Sequence, residues 1–452
     1  MQLVTASHWD IFLSFLPLGW TAFGGPPAHI GLFENVFVQG KRWVSLRVFN
    51  EILSLGQCLP GPTTTQMSFA IGAVKKGITG GLISGVLFQF PGLLLMSLAG
   101  AGAADLLVSP TGWLRGFVAG LSAAGIGLVI SAAVGLAKGQ CTDQTTSALC
   151  LISAMVSYSY QSNWIFPLII VSGGLTTLWF HRDIAPLEVI EKIHHSGVSQ
   201  TSGFIFLSVW VSIWIAVSCM VKLRDYDSYP ELHWFEAFYR TGSIIFGGGQ
   251  VVLPLLLHDV VQYEDACVAV DGSVVASTVN STCTAVVRVT KADSWLTEEQ
   301  FFAGLGLVQA MPGPIFNLSA YIGALAASRA GTNMLAGIFA AWFGLSGPGI
   351  MILFGIIPFW GKFRRLTWYR RALPGLNSSA VGLVVAAVIQ MSFKVRDISS
   401  NKEASIVIGM LAFYVSKFGI PVRMKGTGVW NLPAPLVVVG GGGIGALASI
   451  LG

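Results

Sequence analysis

Long apolar stretches without charge alternate with short polar ones along most of the chain. Residues 77–104, 116–137, 144–180, 196–221, 330–361, 372–393 and 426–452 contain no Asp, Glu, Lys or Arg. A helix that crosses a bilayer needs about 20 mostly apolar residues. The apolar positions run continuously instead of alternating, so they predict helices and argue against a membrane β-barrel. Spans are expected near 79–103, 113–137, 145–160, 163–180, 202–221, 332–357, 372–393, 404–419 and 433–450. Two earlier stretches, 9–37 and 49–74, are each interrupted near the middle by Gly and Pro. Each reads as a re-entrant hairpin or a broken helix pair, and the second half repeats the arrangement.

The repeat is legible residue by residue. Phe23-Gly24-Gly25-Pro26 corresponds to Phe246-Gly247-Gly248-Gly249, with Gly19 matching Gly242 upstream. Trp43 matches Trp295, and Phe49 matches Phe301. LSLGQCLPGP at 53–62 aligns without gaps to LGLVQAMPGP at 305–314, with six identities. Gly72, Pro91-Gly92 and Gly120 find partners in Gly323, Pro348-Gly349 and Gly375. The chain therefore divides into an N-terminal repeat at 1–180, a linker with one connecting helix at 181–231, and a C-terminal repeat at 232–452.

Composition sharpens this picture. Of 452 residues, 53% are hydrophobic and 10% charged, against about 25% charged in soluble domains. A soluble enzyme, a nucleic-acid binder and a disordered chain are excluded. The net charge of +5 bears on orientation, because basic loops stay cytoplasmic. The first ten residues lack a basic n-region, so no cleaved signal peptide is expected. Loop 41–47 carries three basic residues and no acid, whereas its counterpart, the insertion 264–299, has six acids and two basic residues. Loop 104–115 is neutral, whereas its counterpart 361–371 has five basic residues and no acid. Equivalent loops thus carry opposite biases. The expected fold is an all-α polytopic membrane protein made of two inverted-topology repeats, with broken or re-entrant hairpins at the midplane. The N-terminus is then cytoplasmic and the insertion extracellular. Cys267 and Cys283, a candidate disulfide, and the sequon at Asn280 both fit that placement of the insertion.

Broken helices in lipid need a purpose, since unpaired backbone persists only where protein or a wet cavity satisfies it. In Pro60-Gly61-Pro62-Thr63-Thr64-Thr65 the glycine permits a sharp turn and Pro62 suits the first turn of a new helix. Such a helix N-terminus is an anion site, and three hydroxyls stand beside it. Pro312-Gly313-Pro314 repeats the motif, with Asn317 opposite Thr65. The candidate binding set adds Gly24, Gly25 and Pro26 to Gly248, Gly249 and Gln250. Gln57 and Gln309 lie three residues before each first proline; they either donate to a bound oxyanion or join neighbouring helices. Glu51 is a candidate proton carrier or a solvated interfacial residue; His29 and Glu34 are weaker coupling candidates. No metal, cofactor or catalytic constellation appears, which disfavours an enzyme.

Together, FGGPPAHI at 23–30, LPGPTTTQ at 59–66, FGGGQVVLP at 246–254 and QAMPGPIFN at 309–317 resemble the chromate ion transporter family in its long, two-domain form. The resemblance covers most of the chain. It implies a plasma-membrane secondary transporter of chromate, with sulfate as a related tetrahedral dianion. Family members are associated with chromate resistance, driven by membrane potential or a proton gradient. A passive oxyanion channel and a sulfate-selective, proton-coupled carrier are the alternatives. Partners are the oxyanion, lipid, protons as a coupling ion and a second copy in a homodimer. The acidic insertion departs from the compact bacterial pattern and points to a eukaryotic source.

Overall fold

The computed structural model describes residues 5–106, 112–160, 165–180, 198–245, 249–268, 274–276, 285–291, 294–363, 366–399, 401–423, 427–430 and 432–451. Helices dominate. The first half comprises α1 (His8–Thr21), α2 (Gly25–Phe33), α3 (Leu46–Cys58), α4 (Thr63–Leu106), α5 (Gly112–Gln140), α6 (Gln144–Ser159) and α7 (Ile165–Phe180). A π-helical segment, Glu34–Gly40, extends α2. The connecting helix is α8 (Gln200–Leu223). The second half follows with α9 (Pro230–Ile244), α10 (Val252–Val260), α11 (Glu298–Ala310), α12 (Leu318–Ala330), α13 (Met334–Ile356), the short α14 (Trp360–Phe363), α15 (Thr367–Ile398), α16 (Lys402–Phe418) and α17 (Ala434–Leu451).

Helix starts follow local chemistry. Ser7, Asp143 and Thr297 each close a capping box at α1, α6 and α11, satisfying amides that have no intrahelical partner. α4 merges two helices, with Lys76 and Gly77 leaving helical geometry between them. Gly331 in the left-handed region separates α12 from α13 at the equivalent place. Among the described residues, five helices are long and apolar enough to cross a membrane, those at Thr63–Ala104, Gly112–Gln140, Gln200–Leu223, Met334–Phe359 and Thr367–Asp397. Ile165–Phe180 and Ala434–Ile450 are shorter apolar helices.

The all-α expectation needs one correction. The insertion folds in part as an antiparallel sheet, β1 (Tyr263–Val268), β2 (Val274–Ala276) and β3 (Ala285–Thr290), in the order β2-β1-β3. A hairpin of β4 (Ile420–Arg423) and β5 (Thr427–Trp430) joins α16 to α17. Valines such as Val274, Val275, Val286, Val287 and Val289 favour strands over a bare loop. Cys283, the sequon at Asn280 and the side chain of Cys267 lie outside the described residues, as does Gly248.

Packing reproduces the internal correspondence. Trp43 and Trp295, like Phe49 and Phe301, are buried. A Cβ on Gly19 would meet the Leu87 carbonyl, and one on Gly242 the Leu345 carbonyl, each at 2.3 Å. The halves also exchange partners: α5 packs on α16 and α17, while α15 packs on α6 and α7.

Candidate functional site

Both Pro-Gly-Pro turns are tied by backbone hydrogen bonds to the other half of the chain. Leu59 and Met311, the residues that follow α3 and α11, both have extended backbone. Gly61 (φ 118°) and Gly313 (φ 96°) then turn the chain through the region that only glycine adopts readily. α4 opens directly at Thr63, so Pro62 lies just before its first turn and not within it. The second motif takes a 3-10 turn, Ile315–Asn317, before α12. α2 starts behind Gly24, which is left-handed, and carries proline at its first positions, where a missing N–H costs nothing.

Each Pro-Gly-Pro turn is hydrogen-bonded to the residue that precedes the Phe-Gly-Gly run of the other half. The Gly61 N–H donates to the Ile245 carbonyl at 2.8 Å, immediately before the break at 246–248. The Gly313 N–H donates to the Ala22 carbonyl, also at 2.8 Å, immediately before Phe23-Gly24-Gly25. Ala22 O lies 3.0 Å from His29 Nε2, and His29 Nδ1 lies 3.5 Å from Thr64 Oγ1. One polar chain therefore runs from Gly313 through Ala22 and His29 to Thr64. His29 is buried and held edge-on by Phe88.

The later helices clasp the same turns crosswise. Gly92 of α4 approaches the second motif so closely that a Cβ would lie 2.4 Å from Pro312 O and 2.3 Å from Asn317 Nδ2. Gly349 of α13 approaches the first, where Gln66 Nε2 donates to Pro60 O at 2.6 Å and Gly349 O at 3.2 Å. Asn317 is a bracket: its Nδ2 donates to Gln89 O at 3.2 Å, and its Oδ1 accepts from Trp342 Nε1 at 3.1 Å. Asn317→Ala should remove the bonds to the buried Gln89 carbonyl and the half-buried Trp342 Nε1–H and cost about 1–3 kcal/mol. A lowered melting temperature of the solubilised protein is the expected readout, and an unchanged one would remove the bracket role.

Several buried polar atoms around these turns bond to no described residue. They include Thr65 Oγ1, Gln250 Oε1, Gln309 Nε2, both amide atoms of Gln89, and Ser346 Oγ. Buried polar groups are normally satisfied, so each exception asks for an explanation such as a ligand. Thr63 instead donates to Gly56 O at 3.2 Å. Gln57 is half-buried, Glu34 is half-buried at the start of the π-helical segment, and Glu51 accepts from Trp360 Nε1 at 3.0 Å. The chain thus brings together Gly24, Gly25, Pro60–Thr65, Gln309, Pro312–Pro314 and Asn317. Gln66, Gln89, Gly92 and Gly349 escaped the sequence reading. The Pro91-Gly92 and Pro348-Gly349 match was the signal that could have found the last two.

A cavity of about 360 Å³ lies elsewhere, between α6, α7, α10, α15 and the base of the sheet, lined by none of the expected site residues.

The family model described as Chromate transporter matches residues 9–178 and 284–446. The chain is 24% identical over 409 residues to the chromate transport protein of Pseudomonas aeruginosa, covering 90% of this chain and 85% of that one. It is likewise 24% identical over 430 residues to the chromate transport protein of Cupriavidus metallidurans, covering 94% and 92%. An uncharacterized transporter of Methanocaldococcus jannaschii is 24% identical over 410 residues, covering 90% and 89%. These relatives are bacterial and archaeal and give no support to a eukaryotic source. No solved structure matches the chain. Apolar helices, paired breaks and a family match spanning both halves lead to one conclusion: this integral membrane protein belongs to the chromate transporter family.

Proposed function

We propose that the protein is a secondary active transporter of chromate, with sulfate as the related tetrahedral dianion, and that the anion binds at the joined breaks. The reciprocal pair of backbone bonds, Gly61 to Ile245 and Gly313 to Ala22, carries this reading. It couples the turn of each half to the break of the other, so the halves move against each other around one site. The first amides of α4, Thr65 Oγ1 and Gln309 Nε2 supply neutral donors there. Helix N-termini and neutral donors hold a dianion without a salt bridge, which favours release. Family membership and the names of the relatives support chromate as cargo. The exchanged packing of α5 and α15 and the opposite loop charges support inverted repeats, with a cytoplasmic N-terminus and an extracellular insertion.

Moving a dianion inward against a negative-inside potential costs about 4.6 kcal/mol per 100 mV, at roughly 2.3 per charge. Efflux runs on potential alone, and uptake needs a coupling ion. Proteoliposomes with imposed voltage and pH gradients separate these modes. Saturable, voltage-dependent chromate flux is expected; flux that rises linearly with concentration would establish a channel. Glu51→Gln keeps an acceptor for Trp360 while removing a titratable carboxyl. If Glu51 carries the proton, this variant loses pH-driven flux and keeps voltage-driven flux. Equal loss of both would assign it to packing.

A further inference from the structure

Half two carries a charge cluster that ties together the two sides of its break, and half one lacks it. Arg240 and Thr241 lie near the end of α9, before the break, and Asp259 lies near the end of α10, after it. The Asp259 side chain is 7% exposed, accepts from Thr241 Oγ1 at 3.1 Å and lies 3.6 Å from Arg240 Nη2. Arg240 Nε also reaches Glu236 at 3.3 Å. One guanidinium thus serves two carboxylates, which leaves one negative charge in excess when both are ionised. Protonating the more buried carboxylate relieves both the repulsion and the cost of desolvation. α9 ends at Ile244, and the next carbonyl, that of Ile245, accepts the Gly61 N–H. The Arg240–Asp259 pair therefore latches the arm that presents Ile245 to the first Pro-Gly-Pro turn.

The internal correspondence shows that such a hairpin does not need these charges. In the register of Phe23-Gly24-Gly25, the residues Glu236, Arg240, Thr241 and Asp259 correspond to Leu13, Pro17, Leu18 and Val36. Packing keeps this register, since buried Leu256 and Val260 match buried Phe33 and Phe37. In half one the arms close on rings, with Phe15 against Phe33 and Phe37. A buried ion pair adds little stability over apolar packing, whereas carboxylates within membrane proteins mark ion pathways and proton relays. Asp259 also has a route to water. It lines the cavity of about 360 Å³, many times the roughly 30 Å³ that one water takes in the liquid. The other titratable side chains on that cavity are His258 of α10, Tyr263 of β1, Lys291 after β3, and Lys394 of α15, which is paired with Glu298. His258 Nδ1 is buried and bonded to no described residue.

We infer that Asp259 takes up the coupling proton from this cavity, and that its neutralisation unlatches α9 from α10 and frees the arm that presents Ile245 to Gly61. Coupling through Asp259 rests on the secondary-transport reading above. The proton adds to a carboxylate oxygen and later leaves to water; no other covalent bond changes. Purified wild type, Asp259→Asn, Thr241→Val and His258→Gln are compared by infrared difference spectra on acidification. Chromate flux in proteoliposomes is driven by a pH gradient or by voltage. Wild type should show a buried protonated-carboxyl band that Asp259→Asn lacks. Thr241→Val removes a donor to the charged form, so its band should appear at higher pH. Asp259→Asn keeps an acceptor for Thr241; it should lose about ten-fold in pH-driven flux and keep voltage-driven flux. His258→Gln should respond to both drives. A band unchanged in Asp259→Asn and Thr241→Val would overturn the assignment, as would equal loss of both drives in Asp259→Asn. Loss of pH-driven flux in His258→Gln or Glu51→Gln, with Asp259→Asn unaffected, would place the proton elsewhere. Voltage-driven flux alone in wild type would overturn the coupling and leave transport standing. An Asp259 band without wild-type flux under either drive would sink the transport reading and leave the protonation of Asp259 standing.

Discussion

Gly92→Ala should nearly stop chromate flux, whereas Gly349→Ala should leave most of it. Both glycines belong to a repeated Pro-Gly pair and both lie against a Pro-Gly-Pro turn of the opposite half, but the space around them differs. A Cβ at position 92 meets the Pro312 carbonyl at 2.4 Å and Asn317 Nδ2 at 2.3 Å. The carbonyl is backbone inside a glycine–proline turn and cannot rotate away. Asn317 is held by Gln89 and Trp342, so it cannot swing aside without breaking both bonds. At position 349 the nearest atoms are Pro60 O at 3.3 Å and Gly61 Cα at 3.4 Å, which a shift of a few tenths of an ångström accommodates. Overpacking of this kind costs about 1–3 kcal/mol. Spent on separating α4 from the second turn, that corresponds to roughly 5- to 150-fold in the population of the assembled junction. Flux per folded molecule in proteoliposomes checks the comparison. Equal activity in the two variants would mean that the junction does not need its close contact.

The same residues mark how far the sequence could be read. Uncharged runs placed the helices, and the ordered matches from Gly19 to Gly375 paired the halves, because both signals are local or strictly periodic. The breaks were visible for the same reason: Gly and Pro punctuate a helix wherever it packs. What they touch was not visible. Gly61 bonds to Ile245 and Gly313 to Ala22, contacts between residues far apart in the chain that no spacing rule encodes. Asn317 was read as a ligand group, yet its amide is engaged by Gln89 and Trp342. His29 was read as a coupling candidate, and its ring joins Ala22 to Thr64. The sheet was missed because its strands are short and interrupt an otherwise polar loop. Asp259, Lys291 and Lys394 carried no motif, and folding sets them around one cavity.

Gly120→Leu should prevent the two halves from assembling, whereas Gly135→Leu on the same helix should be tolerated. Without a hydrophobic drive between helices in lipid, association relies on close packing of small residues. α5 and α17 meet through such a stripe. A Cβ on Gly120 would lie 2.2 Å from Gly441 O, one on Gly116 2.5 Å from Gly445 O, and one on Gly445 2.3 Å from Gly116 O. Backbone faces backbone along this seam, so a leucine is accommodated only if the helices separate. Gly135 has nothing within 4 Å of the same position, and a leucine there adds to an apolar surface. The repeat-related contact follows the same rule: Gly375 of α15 lies against Gly173 of α7, and the Gly375 N–H donates to Thr177 Oγ1 at 3.1 Å. Both seams join one half to the other, so loss of either removes the frame that brings Gly61 to Ile245. Size-exclusion chromatography in mild detergent and the melting temperature provide the readout. Gly120→Leu should elute as aggregate or melt many degrees lower, and Gly135→Leu should match wild type. A monodisperse Gly120→Leu protein with wild-type stability would show that the halves are held together elsewhere.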